Sequence, residues 1–155
     1  MEFQYLVIAR ALHVVAVVLW IGGVAFVATV LIPAIRNAKT TDNKLHLFEM
    51  LESKFSLQAK LTTLITGLSG FYMLYAMNLW STMHWWIYTM LLIWAIFTLV
   101  LFVLEPWFLH KWFHQQALKN SDKAFYYLQL MHTILLTVSL LVIFAGVAGA
   151  HGLFY

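Results

Sequence analysis

Long apolar stretches separated by short polar segments set the plan of this chain. Four of them, Tyr5–Ile32, Leu61–Leu79, His84–Leu104 and about Leu128–Ala150, approach or exceed the roughly 20 mostly apolar residues that a bilayer-crossing helix needs. The pattern predicts an all-α fold: a four-transmembrane-helix bundle with helices over about 4–34, 42–79, 84–114 and 123–150, a single integral membrane domain over 1–155. Pro33 and the basic segment after it are expected to mark the cytoplasmic exit of the first helix; the third is expected to leave the membrane near Glu105–Pro106, where Pro106 suggests a helix-end role, with Trp107–Phe113 interfacial. Thr40, Thr41 and Asp42 offer a helix N-cap, after which Leu45, Phe48, Leu51 and Phe55 recur at helical spacing. His46, Glu49, Ser53 and Lys54 fall elsewhere. This predicts a cytoplasmic amphipathic helical segment before helix two, either continuous with it or lying along the headgroups. The short turn Asn78–Met83 makes helices two and three antiparallel neighbours. Small residues recur on helix two (Thr62, Thr66 and Ser69, with Thr63, Gly67 and Gly70 beside them) and on helix four (Gly146, Gly149, Gly152). Such stripes let helices approach closely and would permit a homodimer.

Composition agrees with a lipid bilayer as the surroundings. The chain is 63% hydrophobic and 10% charged, whereas charged residues make up about a quarter of a soluble domain. The net charge of +3 does not indicate nucleic acid, because the basic residues gather in two loops. One holds Arg36, Lys39, Lys44, Lys54 and Lys60, the other Lys111, Lys119 and Lys123. The positive-inside rule puts both loops in the cytoplasm and both termini outside (N-out/C-out), which in a bacterial inner membrane means the periplasm. The first apolar stretch has no basic segment before it and no small-residue cleavage site, so it is expected to stay as a helix. Trp80, Trp85, Trp86 and Tyr88 form an aromatic belt at the outer interface. The chain has no cysteine, which removes disulfides, thiolate haem ligation and Cys-held iron–sulfur clusters.

The candidate chemistry lies in the histidines. His13 sits inside the first apolar stretch, His84 opens the third, and His132 enters the fourth, which His151 closes. Ionisable side chains at membrane depth are costly and mark functional sites by default. Imidazole ligates haem iron, copper and zinc, and histidines on facing helices are how bundles build cofactor sites. Arg10 lies one turn before His13, where a guanidinium could meet a haem propionate, and Trp20 follows on the same face. On the inner side His110 and His114 are spaced i, i+4, with His132, Gln129 and Ser139 entering from the same leaflet. Together they offer a second haem or metal site, against which stands an ordinary headgroup role for His110 and His114. Glu105 could serve as a proton-relay acid or a partner to these basic groups. Met73, Met77, Met83 and His84 cluster around the outer turn, and thioethers favour copper(I). Zinc-protease motifs, phosphate loops and nucleophile elbows are all missing from the sequence.

The run Arg10-Ala-Leu-His13 through Trp20-Ile-Gly-Gly23 resembles the opening helix of the copper-resistance D (CopD)-like proteins. It is also similar to that of the HemJ-type protoporphyrinogen oxidases, which share an early-helix histidine followed by a Trp and small residues. Thr66-Gly67 resembles a Thr-Gly step of the CopD-like helices. The resemblance covers the four-helix plan, with its specific residues in the first helix and part of the second. It implies a membrane haem b protein or a protein of copper handling, with His13 the residue carried over. Ahead of Leu12–His13 the HemJ-type pattern has a lysine, and here the only basic residue there is Arg10.

The leading expectation is a haem b protein with one haem, or two. His13 and His84 face each other as axial ligands at the outer leaflet, Arg10 meets a propionate, and Trp20 and other aromatic residues form the walls. Bis-histidine ligation favours electron transfer, with quinol, a porphyrin or a redox protein as partner. The alternatives are a copper-binding or transport protein, a HemJ-like porphyrinogen oxidase, and a cofactor-free assembly subunit.

Overall fold

The structure is a computed structural model that describes residues 2–37 and 44–154. The regular structure among these residues is entirely helical. Helix α1 (Glu2–Phe26) passes through a wide π turn, Val27–Leu31, into α2 (Ile32–Asn37). Helix α3 (Lys44–Ala76) leads by a short turn to α4 (Trp85–Leu99). A second π segment, Val100–Leu109, joins α4 to α5 (His110–Lys119), and α6 (Ser121–Ala150) follows. The Thr40–Thr41–Asp42 cap and Lys39 lie outside the described residues.

Neither proline ends a helix as the sequence pattern suggested. The rod carries on through Pro33 to Asn37 and through Pro106 to Lys119. In an α-helix a proline ring clashes with the carbonyl four residues earlier, here Thr29 or Phe102. Both of those residues fall inside π segments, where the wider turn changes the spacing that creates the clash. Helix ends are made elsewhere. Asn78, left-handed at φ 52°, turns the chain after α3, a conformation asparagine tolerates better than most residues. Asn120 caps α6, its side chain accepting from Lys123 N at 3.0 Å, with Asp122 in the first turn. Gly152 at φ 86° closes α6, with Leu153 N donating to Ala148 O. Gly152 is thus a helix terminator and not a member of a packing stripe.

Helix α3 runs antiparallel along α1. Phe55 stacks on Phe26, Gln58 donates to Leu19 O at 3.4 Å, and Gly70 meets His13. Sequence-distant residues gather at three levels. At the basic end Ile32, Ile35, Phe48, Phe113 and Phe125 form the core, against which Leu45, Leu51 and Phe55 pack. The amphipathic stretch is therefore continuous with helix two, and it lays its apolar face on the bundle. In the middle Trp20, Phe97 and Leu136 meet, and towards the opposite end Leu74, Trp86, Ile87 and Ala145 do so.

The small residues are used inside the chain. A Cβ at Gly67 would come within 2.5 Å of the Trp94 ring, one at Gly149 within 2.5 Å of Trp86, and one at Gly146 within 2.7 Å of Met90 Sδ. Gly67, Gly146 and Gly149 are therefore seats for side chains of α4, as Gly70 is for His13 of α1.

Among the described residues three helices are long and apolar enough to cross a membrane: Phe3–Asn37, Trp85–Trp107 and Ser121–Ala150. Much of their apolar surface faces outward, as at Val7, Val14, Val15, Val18, Leu99, Leu141 and Phe144. In water such a surface would be unfavourable, and against lipid it is not. Helix α3 is outside that set; it carries Lys60 and four buried hydroxyl residues, Thr62, Thr63, Thr66 and Ser69.

Candidate functional site: two histidines with fixed rings

His13 lies midway along α1 and points at α3. Its Nδ1 is 3.0 Å from Thr66 O and 3.1 Å from Ser69 Oγ. A carbonyl oxygen can only accept, so Nδ1 carries the proton. The Ser69 hydroxyl donates to Ile65 O at 2.6 Å, so it too acts as an acceptor towards the imidazole. Gly70 makes the approach feasible, since a Cβ there would fall 3.2 Å from His13 Cε1. The ring is half-buried, and Nε2 is left as its lone-pair nitrogen. Holding one imidazole nitrogen by a backbone carbonyl is how proteins orient a ligand histidine. Arg10, a turn earlier, is exposed and has no ion pair among the described residues.

His132 repeats this device on α6. Its Nδ1 donates to Leu128 O at 2.9 Å, which again leaves Nε2 as an acceptor. The ring borders a partly open cavity of about 140 Å³ lined mainly by α1, α3, α6, Phe97 of α4 and the Val100–Leu109 segment. The lining is mostly apolar and includes Trp20, Val24, Phe55, Phe97, Met131 and Leu135, with Glu49, Glu52, Ser56 and Glu105 towards the basic end. Glu105 accepts from Ser56 Oγ at 2.5 Å and pairs with Lys60 Nζ at 3.3 Å. Trp20 is buried and meets Phe97 edge-to-face at 4.8 Å. Its Nε1, together with Thr63 Oγ1 and Ser139 Oγ, is buried with no partner.

The remaining histidines are placed differently. His84 precedes α4 in extended backbone and stacks on Trp86 at 4.2 Å. His151 is exposed, its Nδ1 on Val147 O at 2.8 Å. His114 is exposed and pairs with Glu49 at 2.8 Å, tying α5 to α3. The side chain of His110 lies outside the described residues. Gln129, expected beside His132, instead receives a hydrogen bond from Arg36, which also lies over Tyr126 at 5.6 Å. Among the described residues no three His, Asp or Glu side chains form a group able to hold a metal ion. Of the methionines near the outer turn, Met83 is packed against the Leu74–Trp86 cluster.

Sequence reading missed the Ser56–Lys60–Glu105 cluster. Ser56 and Lys60 are i, i+4 on α3, which does place them on one face, but nothing along the chain points from either to Glu105. The cavity was equally hidden, because its lining has the composition of ordinary core.

The fold and these sites define a helical protein with membrane-length apolar helices and two histidines poised as lone-pair donors. No protein-family model, curated protein or solved structure matches the chain.

Proposed function

We propose that this is a four-span membrane protein with both termini outside, which binds haem b through His13. The carrying observation is the His13 ring: Thr66 O holds Nδ1, Gly70 gives it room, and Nε2 is left for a ligand. That arrangement fits an axial ligand to iron. The resemblance of the Arg10–Gly23 run to CopD-like and HemJ-type opening helices supports the same residue. Helix α3 counts as the fourth span because it pairs with α1 from Phe26 to His13, its buried hydroxyls lowering its hydropathy without facing lipid.

Each residue then has a role. His13 donates the lone pair, and Ser69 and Thr66 keep its tautomer. Arg10, exposed one turn away, is free to pair with a propionate. His84 is the partner ligand in this reading; it lies at the same end of the bundle as His13, in extended backbone that can turn without unwinding a helix. Bound haem would supply a one-electron redox centre.

The test is the visible spectrum of purified protein supplied with haem, freed of excess, and read oxidised and dithionite-reduced with a pyridine haemochrome assay. A Soret band with sharp reduced α and β bands is expected, lost or strongly altered in His13→Ala and kept in His132→Ala. A colourless protein, or a spectrum indifferent to His13→Ala, overturns the reading.

A further inference from the structure

The cavity beside His132 has a size and a polarity that select a ligand. An engineered apolar protein cavity of about 150 Å³ takes up benzene. At about 140 Å³, this one holds a single six-membered ring. Apolar walls that include the aromatic side chains of Trp20 and Phe97 suit an aromatic ligand. Leu19 borders the cavity and is 48% exposed on the apolar exterior, so the cavity lies next to the surface that suits lipid.

The polar groups on its border say more. His132 has its proton on Nδ1, committed to Leu128 O, so Nε2 offers only a lone pair. Glu105, the ion-pair partner of Lys60, is a carboxylate and also accepts only. Trp20, on the same border, has an Nε1–H donor with no partner, so a ring that satisfies all three groups must carry oxygens as well as hydrogens. A quinone carries oxygens without hydrogens, a dialkoxybenzene likewise, and a hydroquinone carries two O–H donors on opposite sides of one ring. We propose that this cavity is a binding site for a lipophilic single-ring hydroquinone, held by O–H donation to His132 Nε2 and to the Glu105 carboxylate. The site is independent of haem: its two acceptors lie on α6 and in the Val100–Leu109 segment, towards the basic end, whereas His13 lies towards the other.

The experiment uses the haem-free protein in nanodiscs, with protein-free nanodiscs as baseline, under anaerobic reducing conditions. A short-tailed 1,4-benzohydroquinone and its O,O-dimethyl ether are titrated against tryptophan fluorescence and by calorimetry. Saturable binding of the hydroquinone is expected, about tenfold or more tighter than the ether, the equivalent of one or two hydrogen bonds. His132→Leu and Glu105→Gln are each expected to weaken it by about tenfold. Leu135→Trp, which fills the cavity and keeps both acceptors, is expected to abolish it. Equal binding of hydroquinone and ether overturns the proposal, as does absence of saturable binding or binding unaffected by Leu135→Trp. If His132→Leu does not fold, the ether comparison and Leu135→Trp still decide. The haem reading stands or falls separately, on the spectrum of His13→Ala.

Discussion

Among the described residues three buried side-chain polar atoms have no partner, and Ser139 Oγ is the most informative of them. The Ser139 side chain is 1% exposed and Oγ has no hydrogen bond. An unsatisfied buried hydroxyl costs about 1–3 kcal/mol relative to a satisfied one. Ser139→Ala removes the group and leaves almost the same shape, so it is expected to raise the thermal midpoint in detergent by about 2–4 °C. Thr137→Val, at an exposed hydroxyl bonded only to Thr133 O, is expected to leave it unchanged. A fall in the midpoint of Ser139→Ala would show that the hydroxyl has a partner. What could be read at this scale was position. A histidine inside a run of valines and leucines stands out, and so His13 and His132 were visible. Their hydrogen-bond partners were not, because both are backbone carbonyls (Thr66 O and Leu128 O), and every residue has one.

Helices meet where side chains are missing. Trp94 donates from Nε1 to Thr63 O at 2.9 Å and lies against Gly67, while Trp86 lies against Gly149. A large residue at Gly67 would displace the indole and break that bond together. Gly67→Leu is expected to destabilise by about 1–3 kcal/mol through overpacking, read as a lower midpoint. Gly22→Leu, where a Cβ would meet nothing within 4 Å, is expected to be tolerated. A tolerant Gly67 would mean that α4 does not sit on α3 as described. The glycine stripes were legible as close-packing positions. Their partner was not, since small residues suit another helix of the same chain as well as a second copy. The Leu45–Phe55 face was legible as amphipathic for a related reason, yet its partners, Phe113 and Phe125, lie more than fifty residues away. The two prolines misled because a breaking rule written for α-helices does not cover a π segment that absorbs the ring.

At the scale of the whole molecule, orientation rests on charge and depth together. Arg36, Lys44, Lys119 and Lys123 gather at one end, where Arg36 meets Gln129 and Lys44 reaches Arg36 O at 3.1 Å. The turn between α3 and α4 lies at the other end, with Trp80 and Trp85 exposed there as suits an interfacial belt. Hydropathy alone finds three spans, and an odd number would put the two termini on opposite sides. In the proposed four-span reading α3, paired with α1, is the fourth, and the chain would return to the side where it began. The chain has no cysteine, so single cysteines can report this directly. In intact cells Ser81→Cys, in the turn after α3, is expected to react with a membrane-impermeant maleimide. Asn120→Cys, between α5 and α6, is expected to react only after permeabilisation, and Phe154→Cys without it. Four spans with basic loops inside require that pattern. Labelling of Phe154→Cys only after permeabilisation, with Ser81→Cys labelled from outside, would remove one span. The inverse pattern at all three sites would turn the bundle over, and His13 would then face the cytoplasmic leaflet.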